Sequence, residues 1–167
     1  MKVIGISLYQ KLLERAVGAA RRDAVEDAST VVLNLGIAGS IPEEYINDAA
    51  MRLNFYARLL RAASDAEIDG FAEEFEDRFG EPPDEVSILL RLAKLKIAAK
   101  AFGICQLDGG PRGMAASFFC KPTQKAMKHL SSRHAAVQRD ERLVFEKPTE
   151  TAQERLEFLE GLMIGAR

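Results

Sequence analysis

At 167 residues with 47% apolar content, the chain is long enough for one domain with a sizeable core. The net charge of -2 argues against a dedicated nucleic-acid binder, which would carry a clustered basic surplus. The two cysteines, Cys105 and Cys120, make no disulfide framework. No apolar run approaches the roughly 20 residues that span a bilayer, so no membrane partner is expected. The opening Met1-Lys2-Val3-Ile4-Gly5-Ile6 is too short and too soon polar for a signal peptide, and the chain reads as cytoplasmic.

In chain order, residues 8–22 predict a helix with Leu8, Leu12 and Ala16 on one stripe. A polar linker follows to residue 30. Residues 31–37 predict a strand, because Val31, Leu33, Leu35 and Ile37 alternate onto one face. Asp48 is the N-cap expected for a helix over 49–63 with Met51, Phe55, Leu59 and Ala62 on one side. Ser64-Asp65-Ala66-Glu67 fits a capping box and opens a helix whose stripe is Ile68, Phe71, Ala72, Phe75 and Phe79. Gly80 is its expected C-cap.

Pro83 suits the first turn of a long helix reaching Phe102. This helix is apolar on two sides. Val86, Leu90, Ala93 and Ile97 form one stripe, and Ile88, Leu92, Leu95 and Ala99 the other. A helix apolar on both sides is covered on both sides. Residues 104–107 and 115–119 predict two strands around the turn Asp108-Gly109-Gly110-Pro111-Arg112-Gly113. A short helix over 122–130, a third strand at 143–145 and a last helix capped by Thr149 or Thr151 complete the chain.

The expected fold is therefore α+β: a helical cluster around a central two-sided helix, then a small antiparallel sheet backed by a helix. Residues 1–30 form an N-terminal helix and linker, and 31–167 one globular unit with that helix packed on it. No phosphate-cradling G-x-x-x-x-G-K-[ST] loop, G-x-S-x-G elbow or Cys/His cluster at metal spacing occurs. His129 and His134 would face different sides of a helix. No catalytic, cofactor or metal site is predicted. Asp108-Gly109-Gly110-Pro111 opens no helix and reads as a turn. Lys94, Lys96 and Lys100 on the central helix read as solubilising charges, with phosphate contact as the other reading.

On the helix through residue 79, Glu74 and Asp77 are expected opposite the aromatic stripe, and Arg78 can pair with Glu74 four residues back. Two readings stand side by side: a solvated acidic face, or a contact surface. The stretch that bears on this is Ala72-Glu73-Glu74-Phe75-Glu76-Asp77-Arg78-Phe79-Gly80-Glu81-Pro82-Pro83. Before it stand Ile41-Pro42-Glu43-Glu44-Tyr45-Ile46 and Met51-Arg52-Leu53-Asn54-Phe55-Tyr56. After it stand Leu90-Arg91-Leu92-Ala93-Lys94-Leu95-Lys96 and Phe102-Gly103-Ile104.

That order and spacing resembles the C-terminal domain of bacterial transcription-repair coupling factors, large ATP-driven translocases that remove stalled RNA polymerase and recruit excision repair. The resemblance covers most of the chain and is strongest over residues 41–113. Cys105, Met114-Ala115-Ala116 and Ala49-Ala50 depart from it. The family motif E-x-x-D-R-F-G is matched at Glu74, Asp77, Arg78, Phe79 and Gly80. The resemblance implies a regulatory domain rather than the motor. It places Glu74, Asp77 and Arg78 at a contact with the UvrB-like N-terminal module of the same protein, where the acidic pair meets arginines and hides the UvrA-recruiting surface. RNA polymerase and DNA would be reached only through other domains. Met1 stands before a sequence that in the family continues from the motor, so the chain is expected to be an excised fragment or a freestanding gene product.

A different class, a nucleic-acid-binding accessory domain of a repair protein, would need a clustered basic face, whereas the cations here are scattered. A small enzyme would need a convergent pocket, and no residue set proposes one. The isolated chain is expected neither to hydrolyse ATP nor to bind it tightly. Saturable heats on titrating ATP into the pure protein would overturn that expectation.

Overall fold

The computed structural model describes residues 31–139 and 141–163. The helix expected over 8–22 and its linker lie outside the described residues. Among the described residues, five helices and five strands follow one another. They are β1 (Val32–Asn34), α1 (Ala49–Arg61), α2 (Asp65–Phe79), α3 (Asp84–Ala101), β2 (Ile104–Gly110), β3 (Gly113–Phe118), α4 (Gln124–Arg133), β4 (Ala136–Arg139), β5 (Arg142–Phe145) and α5 (Ala152–Met163).

Local chemistry sets the helix ends. The Asp48 carboxylate accepts from the backbone N–H groups of Ala50 at 2.8 Å and Met51 at 3.1 Å, which caps α1. Ser64 Oγ accepts from the Glu67 N–H at 3.3 Å, while Glu67 accepts in return from the Ala63 N–H, so α2 opens with a box closed one residue early. At the other end Gly80 adopts φ 85°, a conformation that costs glycine least, and its N–H returns to the Glu76 carbonyl. Thr151, not Thr149, caps α5: its hydroxyl accepts from the Glu154 N–H at 3.2 Å. Thr149 is buried, and its hydroxyl donates to the Gly110 carbonyl.

α3 is the central helix, covered on both sides as its two stripes require. Val86 and Leu90 pack with Ile41, Ile46, Phe55, Leu59, Ile68, Phe71 and Phe75 in one cluster, joined by Ala93 and Ile97. Leu95 and Ala99 pack with Ile104, Leu107, Met114, Leu143, Phe145 and the α5 residues Leu156, Leu159 and Leu162 in the other, joined by Leu92. The chain entering α1 lies so close to α3 that a Cβ on Gly39 would overlap the backbone N and Cα of Leu89.

The sheet differs from expectation. It has five strands in the order β1-β2-β3-β5-β4, and β1 lies parallel to β2, with Val32 opposite Gln106 and Asn34 opposite Asp108. Hairpins join β2 to β3 and β4 to β5, but β1 reaches its neighbour only after three helices, and a crossover of that length is what parallel pairing requires. The expected strand at 31–37 shortens to three residues, although its alternation holds: Val31 and Leu35 are buried while Val32 and Asn34 are exposed. The turn after β2 tightens to Pro111-Arg112, with Gly110 opposite Gly113. β4 was not expected. Its residues Ala136, Val137, Gln138 and Arg139 carry little apolar signal because it is an edge strand, and it pairs with β5 from Ala136 opposite Phe145 to Arg139 opposite Arg142. Cys105 and Cys120 are free thiols.

Two substitutions test this packing. Phe75 has no exposed surface, so Phe75→Ala should cost about 3–5 kcal/mol through the cavity it leaves. Gly39→Ala should cost about 1–3 kcal/mol by forcing two backbones apart. Thermal and denaturant melts would read both, and a wild-type midpoint for either variant would contradict the packing described.

Candidate protein interface

The candidate surface is the C-terminal half of α2, and its platform is aromatic. The Phe55 ring from α1 meets Phe75 at 4.5 Å between centroids, Phe79 at 6.0 Å and Phe71 at 6.4 Å. Such tilted and edge-on pairs add roughly 0.5–1.5 kcal/mol beyond burial. Tyr45 packs on Phe79 at 5.8 Å, and its hydroxyl lies 2.7 Å from the Gly80 carbonyl and 3.0 Å from that of Phe75. It thereby ties down the carbonyls at the end of α2. Burial, assisted by the nearby charge of Glu76, holds the Tyr45 hydroxyl above its ordinary pKa.

Charges rim this platform. Arg58, on α1, grips Glu74 with both arms of its fork: Nη1 to Oε1 at 3.2 Å and Nη2 to Oε2 at 2.7 Å. Arg78 donates from Nη1 to the same Oε1 at 2.7 Å and reaches Met51 Sδ with Nη2. Both guanidiniums lie over aromatic rings. Arg58 sits 4.7 Å from the Phe71 centroid and Arg78 5.1 Å from that of Phe79. The Arg58 hydrogen bond is the main reason the Glu74 carboxyl lies below its ordinary pKa; burial opposes the shift, and Arg78 adds to it. Arg58 is raised in turn, first by that hydrogen bond.

The expected Glu74–Arg78 pair is present. The expected position of Glu74 is corrected. At 100° per residue it lies roughly 110° round from the apolar stripe, on the flank facing α1 rather than opposite the stripe. There Arg58 reaches it, and its side chain is 26% exposed against 45% for Arg58. Asp77 does face solvent, and among the described residues it has no ion pair. The sequence reading missed Arg58 and Tyr45. Sixteen residues separate Arg58 from Glu74, so helical spacing could not join them. A signal was present, since Arg58 stands one turn after Phe55 at the end of α1, where an arginine can lean across an aromatic ring.

The central-helix lysines divide. Lys94 pairs with Asp69 of α2 at 2.5 Å. Lys96 is half-buried, and desolvation lowers its pKa. Lys100 is exposed in the last turn of α3. Among the described residues no group of His, Cys, Asp and Glu converges as a metal ion would require, and no helix is long and apolar enough to cross a membrane.

The family model for the TRCF domain matches residues 35–129, more than half of the chain and all of this surface. The chain belongs to the transcription-repair coupling factor (TRCF) family. It is 31% identical over 153 residues to the transcription-repair-coupling factor of Rickettsia conorii, covering 88% of this chain and 14% of that protein. It is 36% identical over 123 residues to that of Escherichia coli, covering 71% and 11%. Against the Haemophilus influenzae protein the figures are 31% over 170 residues, 96% and 15%. The chain thus spans between 11% and 15% of the length of these three TRCF proteins. Its fold is that of a crystal structure of the C-terminal domain of transcription-repair coupling factor, with a TM-score of 0.69 at 22% identity over 83% of this chain and 92% of that one.

A carboxyl whose folded-state pKa lies below its unfolded value adds stability above the unfolded value, and that stability is lost as pH falls through the folded value. Glu74 is such a group, with an ordinary value of 4.5. The difference in melting temperature between wild type and Glu74→Gln should therefore be largest above that pH and close below it. Melts across pH 3–7 would read this, and a difference constant with pH would show that the arginines do not hold the carboxylate.

Proposed function

We propose that this chain is a regulatory docking domain of a transcription-repair coupling factor, not its motor. It docks on the UvrB-like N-terminal module, masks the surface that recruits UvrA and restrains the DNA translocase during nucleotide-excision repair. The observation that carries the reading is the placement of the E-x-x-D-R-F-G motif. Phe79 is half-buried beside Tyr45 and Gly80 ends the helix, so Glu74, Asp77 and Arg78 stand on a rigid rim. Glu73 and Glu76 are exposed beside Asp77 and give the outer face of α2 a negative sign. An arginine-bearing partner suits that face, because guanidinium forks match carboxylates in shape and charge.

The proposal separates two carboxylates that the motif makes look alike. Asp77→Ala removes an exposed charge and should change stability by less than about 0.5 kcal/mol. It should weaken docking on the UvrB-like module by about 2–5 kcal/mol, since the facing arginine is left without its partner. In a full-length protein the same change should uncover UvrA binding and raise basal ATPase activity. Glu74→Ala should weaken docking too, and should also cost about 1 kcal/mol of stability by stranding Arg58 and Arg78. A docking titration with a melt on each variant measures both effects. Wild-type docking by Asp77→Ala would leave that residue a merely solvated charge.

A further inference from the structure

Building on the docking reading above, we propose that Arg58 is a gate on this surface. Its guanidinium occupies the place on Glu74 that a partner's arginine would take, and docking exchanges one for the other.

The argument begins with acceptor capacity. A carboxylate offers about four lone-pair directions. The Arg58 fork takes one on each Glu74 oxygen, and Arg78 takes another on Oε1. An incoming arginine can therefore find one direction on Oε2 and cannot form a two-armed pair. Forked recognition of Glu74 requires a resident to leave.

Arg58 is the resident built to leave. Arg78 sits on the same helix as Glu74, four residues on, holds one oxygen and reaches Met51 as well, while both guanidiniums lie over aromatic rings. Arg58 comes from a different helix and holds both oxygens, so it covers the two atoms a second fork needs. Its side chain is 45% exposed, about as open as the 47% of Arg78, so water can receive it once its contact with the Phe71 ring is given up.

Charge reinforces the geometry. With Arg58 seated, its charge stands where the partner's arginine must come, and with Arg78 it offsets part of the negative charge of Glu73, Glu74, Glu76 and Asp77. With Arg58 swung out, Glu74 and Arg78 balance, and exposed Glu73, Glu76 and Asp77 set a negative sign. The same few residues thus favour a basic partner less in one rotamer and more in the other, a two-state element that binding can bias.

The test titrates the UvrB-like module onto wild type, Arg58→Gln and Arg58→Lys, each first shown by melting to be folded. Removing a resident surface ion pair should tighten docking about three- to tenfold for Arg58→Gln. Arg58→Lys should fall between, because an ammonium cannot fork. Docking by Arg58→Gln that is equal to wild type or weaker overturns the gate. A second arm needs no partner: methylguanidinium is titrated while NMR follows the Glu74 side-chain carboxyl shift. A larger response in Arg58→Gln than in wild type supports the gate, and equal responses overturn it. Failure of every chain to dock would count against the docking reading itself, and the methylguanidinium arm would still decide the gate.

Discussion

Helix α3 carries apolar side chains on two opposite sides, and neither side can be left in water. The sheet with α4 and α5 covers one side; α1, α2 and the chain between β1 and α1 cover the other. The polar residues of α3 mark the seams between these layers. Arg91 donates to Glu160 on α5 from Nε at 2.9 Å and Nη2 at 2.6 Å, and Lys94 reaches Asp69 on α2. Magnitudes rank these forces. Burying one large apolar side chain is worth about 1.5–3 kcal/mol, whereas an exposed ion pair contributes about 0–1. The apolar faces set the architecture, and the ion pairs bridge the layers at their seams.

The same ranking explains why a motif such as E-x-x-D-R-F-G mixes two kinds of residue. Phe79 and Gly80 fix where α2 ends, with the help of Tyr45. That fixed end decides where Asp77 and Arg78 stand in space. The charged residues add little to stability and are free to serve recognition, provided that the aromatic platform beneath them does not move. Glu74 is the exception, because it joins α1 to α2 through Arg58 and belongs to both tasks.

Helices were legible in the sequence because their signals are local. Asp48, Ser64, Gly80 and Thr151 announce their ends within four residues, and the two stripes of α3 announce its central place. In the sheet, the β2–β3 hairpin was legible from its turn, and β1 and β5 as short apolar strands. The parallel docking of β1 depends on a partner more than seventy residues away, and no local pattern encodes it. β4 was invisible because an edge strand with one half-buried residue has almost no alternation to show. The site follows the same division. Helical spacing revealed the pairing of Glu74 with Arg78, while the grip of Arg58 arises only once α1 lies across α2.

The parallel pairing of β1 has a consequence for the order in which the chain assembles. Hairpins and neighbouring helices close short loops, but joining Asn34 to Asp108 spans 74 residues. Loop-closure entropy makes that the most expensive strand pairing to form early, so the intervening helices should be largely in place before β1 finds its edge. β1 is also three residues long, and among the described residues it pairs on one side alone. It is the last strand to arrive and the first to leave, and its amides should exchange with solvent well before those of β2 and β3.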